Sequence, residues 1–289
     1  MKILLVGALG QLGRDLQEVL ADEEITPVDK EDVDVRDAGQ VDALVDRLRP
    51  DLVLNCSAFH RVDECEDAPE AAFAVNVFGL RNLTLAARRV NAALLHFSTD
   101  YVFDGPRRQP HIETDMPCPR SVYAVSKLAG EFMVQSIWHK HFLIRTCGLY
   151  GYAGSREKGT NFVEAMIALS KQGKPVRVVN DQVCTPTSTR DLACAIRRLI
   201  GTSAYGLYHL TNSGECTWYE FARAIFELSG LNPEVQAVTS DQFRAKAKRP
   251  DYSVLDNKRF RELGFEDMRH WKEALAEYIA GREAAGRAH

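Results

Sequence analysis

Tyr123 and Lys127 stand four residues apart in the stretch YAVSKLAGE, which covers residues 123–131. Residues four apart lie on one face of an α-helix, so a phenol and an ammonium would project together. A phenol is normally protonated at neutral pH, and a neighbouring positive charge favours its phenolate. Such a pair can give a proton to an oxygen atom or take one from it. A packed structural helix with one exposed lysine has the same spacing, so the choice between the two interpretations depends on other residues.

A short polar cluster lies upstream of this helix, in the stretch HFSTDYVFDG at 96–105. Ser98, Thr99 and Asp100 follow an apolar run that predicts a buried strand. Ligands of doubly wound sheets gather at the carboxyl ends of the strands, so these side chains are expected to face a cofactor crevice. A threonine hydroxyl there can hydrogen-bond a carbonyl oxygen and orient it for reaction.

The N-terminus carries a glycine pattern, G-x-x-G-x-x-G, formed by Gly7, Gly10 and Gly13. It directly follows the apolar run KILLV at 2–6 and opens a helical pattern. Glycines at such positions permit a tight turn and a close backbone approach to a pyrophosphate, which the helix N-terminus then binds. The pattern therefore predicts a dinucleotide site, and a purely structural glycine turn is the alternative.

Asp29 ends the second predicted strand, 22 residues beyond Gly7. An acidic residue about 20 residues after the glycine loop is expected to bind the adenosine ribose hydroxyls, which favours NAD. Lys30 and Arg36 follow closely, and either cation suits the extra 2′-phosphate of NADP. The sequence thus predicts NAD(H) or NADP(H) and leaves the preference open. A simple strand-end cap by Asp29 is the other interpretation.

Alternating strand and helix patterns must position these groups. Short apolar runs bounded by turn residues predict buried strands at 2–6, 25–28, 51–56, 93–98 and 141–146. Helical patterns lie between them at 11–21, 40–48, 68–90 and 122–138. This order predicts an α/β fold with a doubly wound parallel sheet of the Rossmann type. We predict a dinucleotide-binding domain over 1–150, return segments near 176–210, and a smaller substrate-binding lobe mainly over 151–289.

Composition excludes several functional classes. The chain has 289 residues and a net charge of −4, which gives no electrostatic basis for binding nucleic acid or an anionic membrane. No apolar run approaches the roughly 18 residues of a membrane span. The seven cysteines are scattered without a C-x-x-C pair, so we expect reduced thiols in the cytoplasm and no metal site.

Taken together, the motifs resemble the extended short-chain dehydrogenase/reductase family, and more narrowly its dTDP-4-dehydrorhamnose reductases. The stretches STDYVFDG and YAVSK match that family almost letter for letter, and the resemblance covers nearly the whole chain. The stretch DVDVRD would place Asp34 and Val35 against adenine. Besides the residues discussed above, the resemblance implies cofactor contacts from Gln11, Leu12, Ala58, Phe59, His60 and Asn76.

The resemblance implies reduction of a 4-keto nucleotide sugar by NADH or NADPH. Tyr123 would donate the proton, Lys127 would tune it and hold the nicotinamide ribose, and Thr99 would polarise the carbonyl. These three residues would be catalytic, and Tyr123 and Lys127 would also contact the cofactor. The implied substrate residues are Thr99, Asp100, Asn161 and Arg249.

At four positions the sequence does not determine the identity of the sugar or the role of the residue. Gly148 stands where the family often has a tryptophan, and Cys184 stands in a glycine position, both in the expected sugar site. His60 replaces a common threonine, either as a second proton carrier or as a packing residue. Arg249 lies in the basic run KAKRP, which is either a solvated face or a site for the substrate diphosphate.

Two rival functions remain. An epimerase or dehydratase of the same fold would retain its cofactor through oxidation and re-reduction. Tyr101 follows Asp100 where a dehydratase usually has a second acid, which argues against dehydration. A non-catalytic regulatory subunit is the other rival, and the presence of Thr99, Tyr123 and Lys127 argues against it. Many members of the family form dimers, and the sequence leaves a homodimer open.

Overall fold

Six parallel strands form the central sheet of the protein, whose computed structural model describes residues 1–105, 108–154 and 159–282. In chain order the strands are β1 (Lys2–Val6), β2 (Glu24–Val28), β3 (Leu52–Asn55), β4 (Ala93–Thr99), β5 (His141–Thr146), β6 (Leu149–Tyr150), β7 (Val176–Val179), β8 (Val183–Cys184), β9 (Thr187–Ser188), β10 (Gly206–His209), β11 (Cys216–Thr217) and β12 (Val235–Val238). The central sheet has the order β10–β5–β4–β3–β1–β2. Successive strands are added on one side of β1 up to β2 and on its other side from β3 onward. This switch in strand order opens a crevice at the carboxyl ends of β1 and β3.

Helices cover both faces of this sheet. In chain order they are α1 (Gln11–Val19), α2 (Ala38–Leu48), α3 (Val62–Asp67), α4 (Pro69–Phe73), a π-helix (Ala74–Gly79), α5 (Leu80–Arg89), α6 (Val122–Ile137), α7 (Phe162–Ser170), α8 (Thr189–Ile200), α9 (Trp218–Leu228), α10 (Ser240–Phe243), α11 (Lys258–Glu262) and α12 (Trp271–Gly281). Leu16 of α1 and Ile196 of α8 pack on one face. Val41, Leu83 and Val134, from α2, α5 and α6, pack on the other. The predicted doubly wound parallel fold is confirmed.

One predicted helix is interrupted. The sequence predicts a single helix over 68–90, but the chain forms α4, the π-helix and α5 in succession. Pro69 begins α4, because a proline is tolerated in the first helical turn. The π-helix lies against α6: a Cβ on Gly130 would be 2.5 Å from the carbonyl oxygen of Asn76. The interruption therefore brings the Asn76 backbone into contact with the helix of the YAVSK motif.

A smaller lobe follows the sheet and has its own aromatic core, which includes Tyr150, Phe221 and Trp271. Within the predicted return segment near 176–210, α8 packs beside α1 and β10 pairs with β5 of the main sheet. In the same segment β7 pairs with β12 in a separate two-stranded sheet. The division into two domains stays a prediction, and residues 283–289 of the predicted lobe lie outside the described ranges.

Candidate active site

The glycine loop joins β1 to α1 at the crevice. Gly7 has a φ of 79°, and a Cβ there would lie 2.9 Å from the backbone nitrogen of Ser57. A Cβ on Gly13 would lie 2.5 Å from the carbonyl oxygen of Gly7, so α1 meets the strand end at backbone contact. Gly10 precedes α1 and supplies no capping side chain for the N–H groups of its first turn. This is the geometry expected of a pyrophosphate-binding turn.

The first turn of α1 suits a bound dinucleotide. Gln11 donates from Nε2 to the carbonyl oxygen of Leu149 at 3.1 Å, while its buried Oε1 has no hydrogen-bond partner among the described residues. Leu12 is buried in the core, so its side chain packs against the sheet. Asp29 accepts from the backbone N–H of Leu9 at 3.0 Å and thereby holds the glycine loop in place. The narrow glycine turn and the uncapped N–H groups of the first turn of α1 fit a nicotinamide dinucleotide.

Replacing Gly13 with alanine is expected to weaken cofactor binding and to lower the free energy of unfolding by about 1–3 kcal/mol. The new Cβ would press on two backbone oxygens, 2.5 Å from Gly7 and 2.8 Å from Ala8, which move only if α1 moves. Urea unfolding and a fluorescence titration with NADPH would measure the two effects. Gly201→Ala is the control, because its Cβ would meet nothing nearer than 3.5 Å. Equal affinities in the two variants would contradict the role given to Gly13.

The adenosine end of the predicted site contains an ion pair. Arg36 donates from Nε to both carboxylate oxygens of Asp34, at 2.9 Å and 3.0 Å. This pairing lowers the pKa of Asp34 to about 2. It also occupies the guanidinium of Arg36, which the sequence predicts as one candidate partner of the NADP 2′-phosphate. Val35 is buried beside it, while Lys30 is exposed next to Asp29. Lys30 is therefore better placed than Arg36 to meet a 2′-phosphate.

Asn76 fixes the segment that follows β3. Its Oδ1 accepts from the backbone N–H of Phe59 at 2.9 Å. Its Nδ2 donates to the carbonyl oxygen of Phe59 at 3.1 Å and to Ser126 Oγ at 2.9 Å. In the same segment, Nδ1 of His60 lies 3.4 Å from the carbonyl oxygen of Ala58. Asn76 thus ties the predicted nicotinamide-side segment to α6, and its own contact with the cofactor stays a prediction.

Thr99 and Tyr123 bring two hydroxyl groups together at the carboxyl end of β4. The Thr99 Oγ1 accepts from the backbone N–H of Tyr101 at 3.2 Å and donates to Asp100 Oδ1 at 3.1 Å. Tyr123 lies in the first turn of α6, which Ser121 caps. Burial raises the pKa of the Tyr123 phenol, and a hydrogen bond with Thr99 opposes that rise. The structure therefore pairs the two predicted catalytic hydroxyls and keeps the phenol protonated.

Lys127 has a different partner from the one predicted. Its Nζ lies 2.9 Å from Nε2 of His96, a buried residue of β4. Burial lowers the pKa of Lys127 to about 7, and the nearby carboxylate of Glu131 acts in the opposite direction. Burial is the largest influence on the Tyr123 phenol and raises its pKa, and the lowering by the Lys127 ammonium stays a prediction. The lysine is held instead by a histidine of the sheet.

A second buried contact anchors α6 one turn further on. Glu131 accepts from Ser98 Oγ and from two nitrogens of Arg145, Nε at 2.9 Å and Nη2 at 2.7 Å. Glu131 is fully buried and Arg145 is 2% exposed, so solvent does not screen the pair. None of the sequence motifs predicts a role for His96, Glu131 or Arg145. A signal was present, because His96 and Ser98 share one face of β4, as Lys127 and Glu131 share one face of α6.

Asp100 connects the sheet to the lobe. Ser253, from the stretch KRPDYSVLD, donates from Oγ to Asp100 Oδ2 at 2.6 Å. Burial raises the pKa of Asp100 to about 6, although hydrogen bonds from Ser253, Cys147 and Thr99 oppose the rise. The carboxyl group therefore has partners from β4, from the segment after β5 and from the lobe. Its predicted position near the sugar stays a prediction.

Replacing Asp100 with asparagine is expected to stabilise the protein above about pH 6 and to change it little below pH 3.8. The folded protein binds this proton more tightly than the unfolded chain does. Wild-type stability therefore falls as the pH rises from 3.8 to about 6 and then stays level. The full difference corresponds to about 3 kcal/mol. Urea unfolding at about pH 4 and about pH 8 would measure it, with the exposed Asp46→Asn as control. An equal gain at both pH values would contradict this explanation.

Arg249 lies near the catalytic hydroxyls. Its guanidinium donates to both carboxylate oxygens of Asp63 in α3, at 2.8 Å and 3.2 Å, and it also hydrogen-bonds Tyr101. The Tyr101 ring packs edge-on against the ring of Tyr123, with 6.0 Å between centroids. Arg249 is therefore part of the site wall rather than of a fully solvated face. A substrate phosphate at Arg249 would share the guanidinium with Asp63.

Asn161 has a structural task in the lobe. Its Oδ1 caps α7 by accepting from the backbone N–H of Glu164 at 3.0 Å. Its Nδ2 donates to the carbonyl oxygen of Gly151 at 2.9 Å and to Tyr278 Oη at 3.0 Å. These contacts account for the burial of Asn161 without a substrate. Its predicted contact with the sugar stays a prediction.

The two positions that depart from the family pattern border the site. Gly148 has a φ of 55°, and a Cβ there would lie 3.2 Å from Cη2 of Trp218, so the indole occupies the adjoining space. Cys184 is buried in β8 and lies near Cys147, whose thiol in turn lies near Asp100. A change at Cys184 therefore alters the surroundings of the Asp100 carboxyl group, and a side chain at position 148 would press on Trp218.

A glycine turn follows β1 at the carboxyl end of the sheet, Thr99 ends β4 at the same edge, and Tyr123 and Lys127 lie together on α6. This fold and this site define the class of extended short-chain dehydrogenases/reductases. A family model described as the RmlD substrate binding domain matches residues 1–283. The chain belongs to this family, and the resemblance that the motifs indicate is confirmed.

Relatives match over nearly the full length of the chain. The dTDP-4-dehydrorhamnose reductase of Streptomyces griseus is 41% identical over 298 residues, which cover 98% of this chain and 96% of that protein. The dTDP-4-keto-6-deoxy-D-glucose reductase of Streptomyces niveus is 40% identical over 278 residues, which cover 95% of each. The crystal structure of a Bacillus anthracis dTDP-4-dehydrorhamnose reductase in complex with NADP has a TM-score of 0.92 and 38% identity, covering 96% of this chain and 98% of that one.

Proposed function

We propose that this protein reduces the C4 ketone of a nucleotide-linked 6-deoxy-4-keto sugar with NAD(P)H, converting dTDP-4-dehydro-L-rhamnose to dTDP-L-rhamnose. The observation that carries the proposal is the proximity of the Thr99 and Tyr123 side chains at the carboxyl end of β4. Membership of the RmlD substrate binding domain family supports the reaction class. The similarity to dTDP-4-dehydrorhamnose reductases supports the sugar.

The protein's own contribution is proton transfer and orientation. When bound, the reduced nicotinamide supplies the hydride for the carbonyl carbon. Tyr123 donates its phenolic proton to the carbonyl oxygen as negative charge develops there. Thr99 orients the same oxygen by turning its hydroxyl proton, which points at Asp100 Oδ1 in this structure, toward the substrate. Because burial raises the pKa of Tyr123, the phenol carries its proton at neutral pH and is ready to act as the acid.

The cofactor lies, in this proposal, along the crevice from the glycine loop to α6. The narrow glycine turn and the uncapped N–H groups at the start of α1 support the pyrophosphate end. The exposed Lys30 beside Asp29 suits either cofactor at the adenosine end. The residues proposed to hold the cofactor are Gly7, Gly10, Gln11, Leu12, Gly13, Asp29, Lys30, Asp34, Val35, Ala58, Phe59, His60, Asn76, Tyr123 and Lys127.

Absorbance at the reduced-nicotinamide band tests the function. The protein would be mixed with NADH or NADPH and with dTDP-4-dehydro-L-rhamnose, and in parallel with dTDP-4-keto-6-deoxy-D-glucose. Rapid oxidation with the first sugar, lost in Lys127→Ala and kept in Lys140→Ala, would support the proposal, because the half-buried Lys140 donates to Asn91 Oδ1 instead. Oxidation only with the second sugar would reassign the substrate. Bound cofactor without oxidation of either sugar would favour the regulatory role, and C4 epimerisation with retained cofactor would favour the epimerase.

We also propose a homodimer that works in the cytoplasm. Phe78 and Phe132 are each 57% exposed on two helices that adjoin one another, which supports a contact between two copies. In the described part of the chain, no helix has the length and apolar character to cross a membrane, and no three metal-binding side chains converge. Analytical ultracentrifugation would measure the mass in solution, and a monomer would contradict the dimer.

A further inference from the structure

Asp63 of α3 binds the lobe segment 246–249 at two points. Its Oδ1 accepts from the backbone N–H of Ala247 at 2.9 Å. Its carboxylate oxygens also accept from Nη1 and Nη2 of Arg249, at 3.2 Å and 2.8 Å. The guanidinium holds the pKa of Asp63 below its usual value, so the carboxylate is charged at neutral pH. Asp63 therefore fixes both the backbone of this segment and the plane of the guanidinium.

The hydrogen-bond donors of Arg249 can be counted. A guanidinium has two N–H groups on Nη1, two on Nη2 and one on Nε. Nη1 donates to Asp63 and, at 3.1 Å, to the carbonyl oxygen of Ala247, while Nη2 donates to Asp63. The remaining N–H groups, one on Nη2 and one on Nε, lie along one edge of the planar group. They are the donors left for the phenol of Tyr101, which lies near the guanidinium. Asp63 thus determines which edge of Arg249 faces Tyr101.

Tyr101 transmits this position to the proposed proton donor. Its ring packs edge-on against the ring of Tyr123, with 6.0 Å between centroids and 86° between planes. This is one of the arrangements that aromatic pairs prefer. The backbone N–H of Tyr101 donates to Thr99 Oγ1 at 3.2 Å, so Tyr101 also adjoins the second proposed catalytic hydroxyl. The Tyr101 ring is therefore a wall of the site.

A second carboxylate of α3 holds the other ring of the pair. Glu66 Oε1 accepts at 2.8 Å from the backbone N–H of Val122, which begins α6 and directly precedes Tyr123. The first N–H groups of a helix have no partner within the helix, and a negative charge there is favourable. Asp63 and Glu66 are three residues apart, so they are neighbours on one face of α3. This face therefore fixes the Tyr101 ring on one side and the start of α6 on the other.

We propose that Asp63 is a positioning residue, which holds the Arg249 guanidinium against Tyr101 and thereby fixes this wall of the site. The wall in turn keeps the ring of Tyr123 in place. The inference deepens the proposed function and rests on it, because Tyr123 is the proton donor there. Asp63 acts through Arg249, and its own side chain is 45% exposed whereas that of Arg249 is 22% exposed. A carboxylate at the surface therefore controls a ring at the site.

Asp63→Asn tests the effect on turnover, because it keeps the shape of the side chain and removes its charge. An amide NH₂ cannot accept, so one of the two hydrogen bonds from Arg249 is lost. We expect kcat for keto-sugar reduction to fall about 10-fold and KM to change less, since a displaced proton donor slows the chemical step. Steady-state rates of NADPH oxidation would measure both quantities.

Asp67→Asn is the matched control for that variant. Asp67 lies on the same helix and pairs with Lys246 of the same lobe segment, where both side chains are more than half exposed. Ion pairs at such positions contribute little to stability. We expect an unchanged kcat. An equal loss of kcat in the two variants, or a change in Asp63→Asn that is confined to the free energy of unfolding, would overturn the proposal.

The ring packing can be measured on the full-length protein without substrate. In a sample with ¹³C-labelled tyrosine rings, Tyr101→Phe and Tyr123→Phe identify the two nuclear magnetic resonance signals by their loss. Each ring lies in the magnetic field of the other, so both signals shift when the contact changes. We expect Asp63→Asn to move both signals and Asp67→Asn to move neither. Unmoved signals in Asp63→Asn would overturn the proposal.

A double variant shows whether Asp63 acts through Arg249. Arg249→Gln removes the guanidinium, so Asp63→Asn has no further contact to release in that background. Residues that act through one shared contact give effects that do not add. We expect the double variant to match Arg249→Gln alone, both in its tyrosine spectrum and in kcat. Additive effects would overturn the proposal.

The spectra need neither cofactor nor sugar, so the role of Asp63 and the reductase activity can fail separately. Shifted ring signals in Asp63→Asn, without keto-sugar reduction by the wild-type protein, would count against the proposed function alone. Keto-sugar reduction by the wild-type protein, with unmoved ring signals in Asp63→Asn, would count against the role of Asp63 alone.

Discussion

Tyr123→Phe is expected to lower kcat for keto-sugar reduction by about 10²- to 10⁴-fold, the usual contribution of a general acid. The substitution removes only the phenolic oxygen and leaves the ring packed edge-on against Tyr101. The glycine loop, which carries the pyrophosphate site, lies on a different element, so NADPH affinity should change little. Steady-state rates of NADPH oxidation and a fluorescence titration would separate the two quantities.

Tyr208→Phe is the matched control for that experiment. Tyr208 is also a buried tyrosine, but its hydroxyl donates to the carbonyl oxygen of Ala204 at the far edge of the sheet. We expect a small loss of stability and an unchanged kcat. Near-normal turnover in Tyr123→Phe would show that Tyr123 is not the general acid, whatever the result for Tyr208→Phe.

Arg145→Met is expected to lower the free energy of unfolding by about 3–5 kcal/mol, because it leaves the buried Glu131 carboxylate without its cation. The arginine makes two hydrogen bonds to Glu131, at 2.9 Å and 2.7 Å, in a site without solvent. Ser98 would be the remaining donor of the contacts described above, and one hydroxyl does not replace a guanidinium. Urea unfolding at neutral pH would measure the loss.

A double variant distinguishes a lost partner from lost packing. Glu131→Leu combined with Arg145→Met removes both charges, and replacement of a buried ion pair by apolar residues is often neutral or stabilising. The double variant should therefore be more stable than Arg145→Met alone. A double variant less stable than both single variants would show that the shape of the pair, rather than its charge, holds the site together.

Much of the architecture could be predicted because it is local in sequence. The continuous apolar runs at 2–6 and 141–146 became the central strands β1 and β5, as expected for strands buried on both faces. The four-residue spacing of Tyr123 and Lys127 placed both on α6 correctly. The glycine pattern likewise falls on the turn between β1 and α1, at the point where the strand order reverses.

The features that the sequence does not predict are contacts between residues that are distant in the chain. The run KPVRVV has a strand pattern, but nothing local states that β7 pairs with β12 rather than with the main sheet. The partner of Lys127 was missed for a similar reason, since His96 lies 31 residues earlier inside a strand that was interpreted as apolar. The spacings do match: two residues of a strand span about 6.6 Å and four residues of a helix about 6 Å. His96 can therefore contact Lys127 while Ser98 contacts Glu131.

That double attachment has a consequence for motion. Both contacts fasten α6, which carries Tyr123, to β4, the strand that ends at Thr99. Tyr123, the proposed proton donor, and Thr99, the proposed orienting hydroxyl, therefore belong to one rigid body. The lobe reaches this body from outside, through contacts such as that of Ser253 with Asp100. If the lobe swings, access for the sugar changes while the distance between the two catalytic hydroxyls does not.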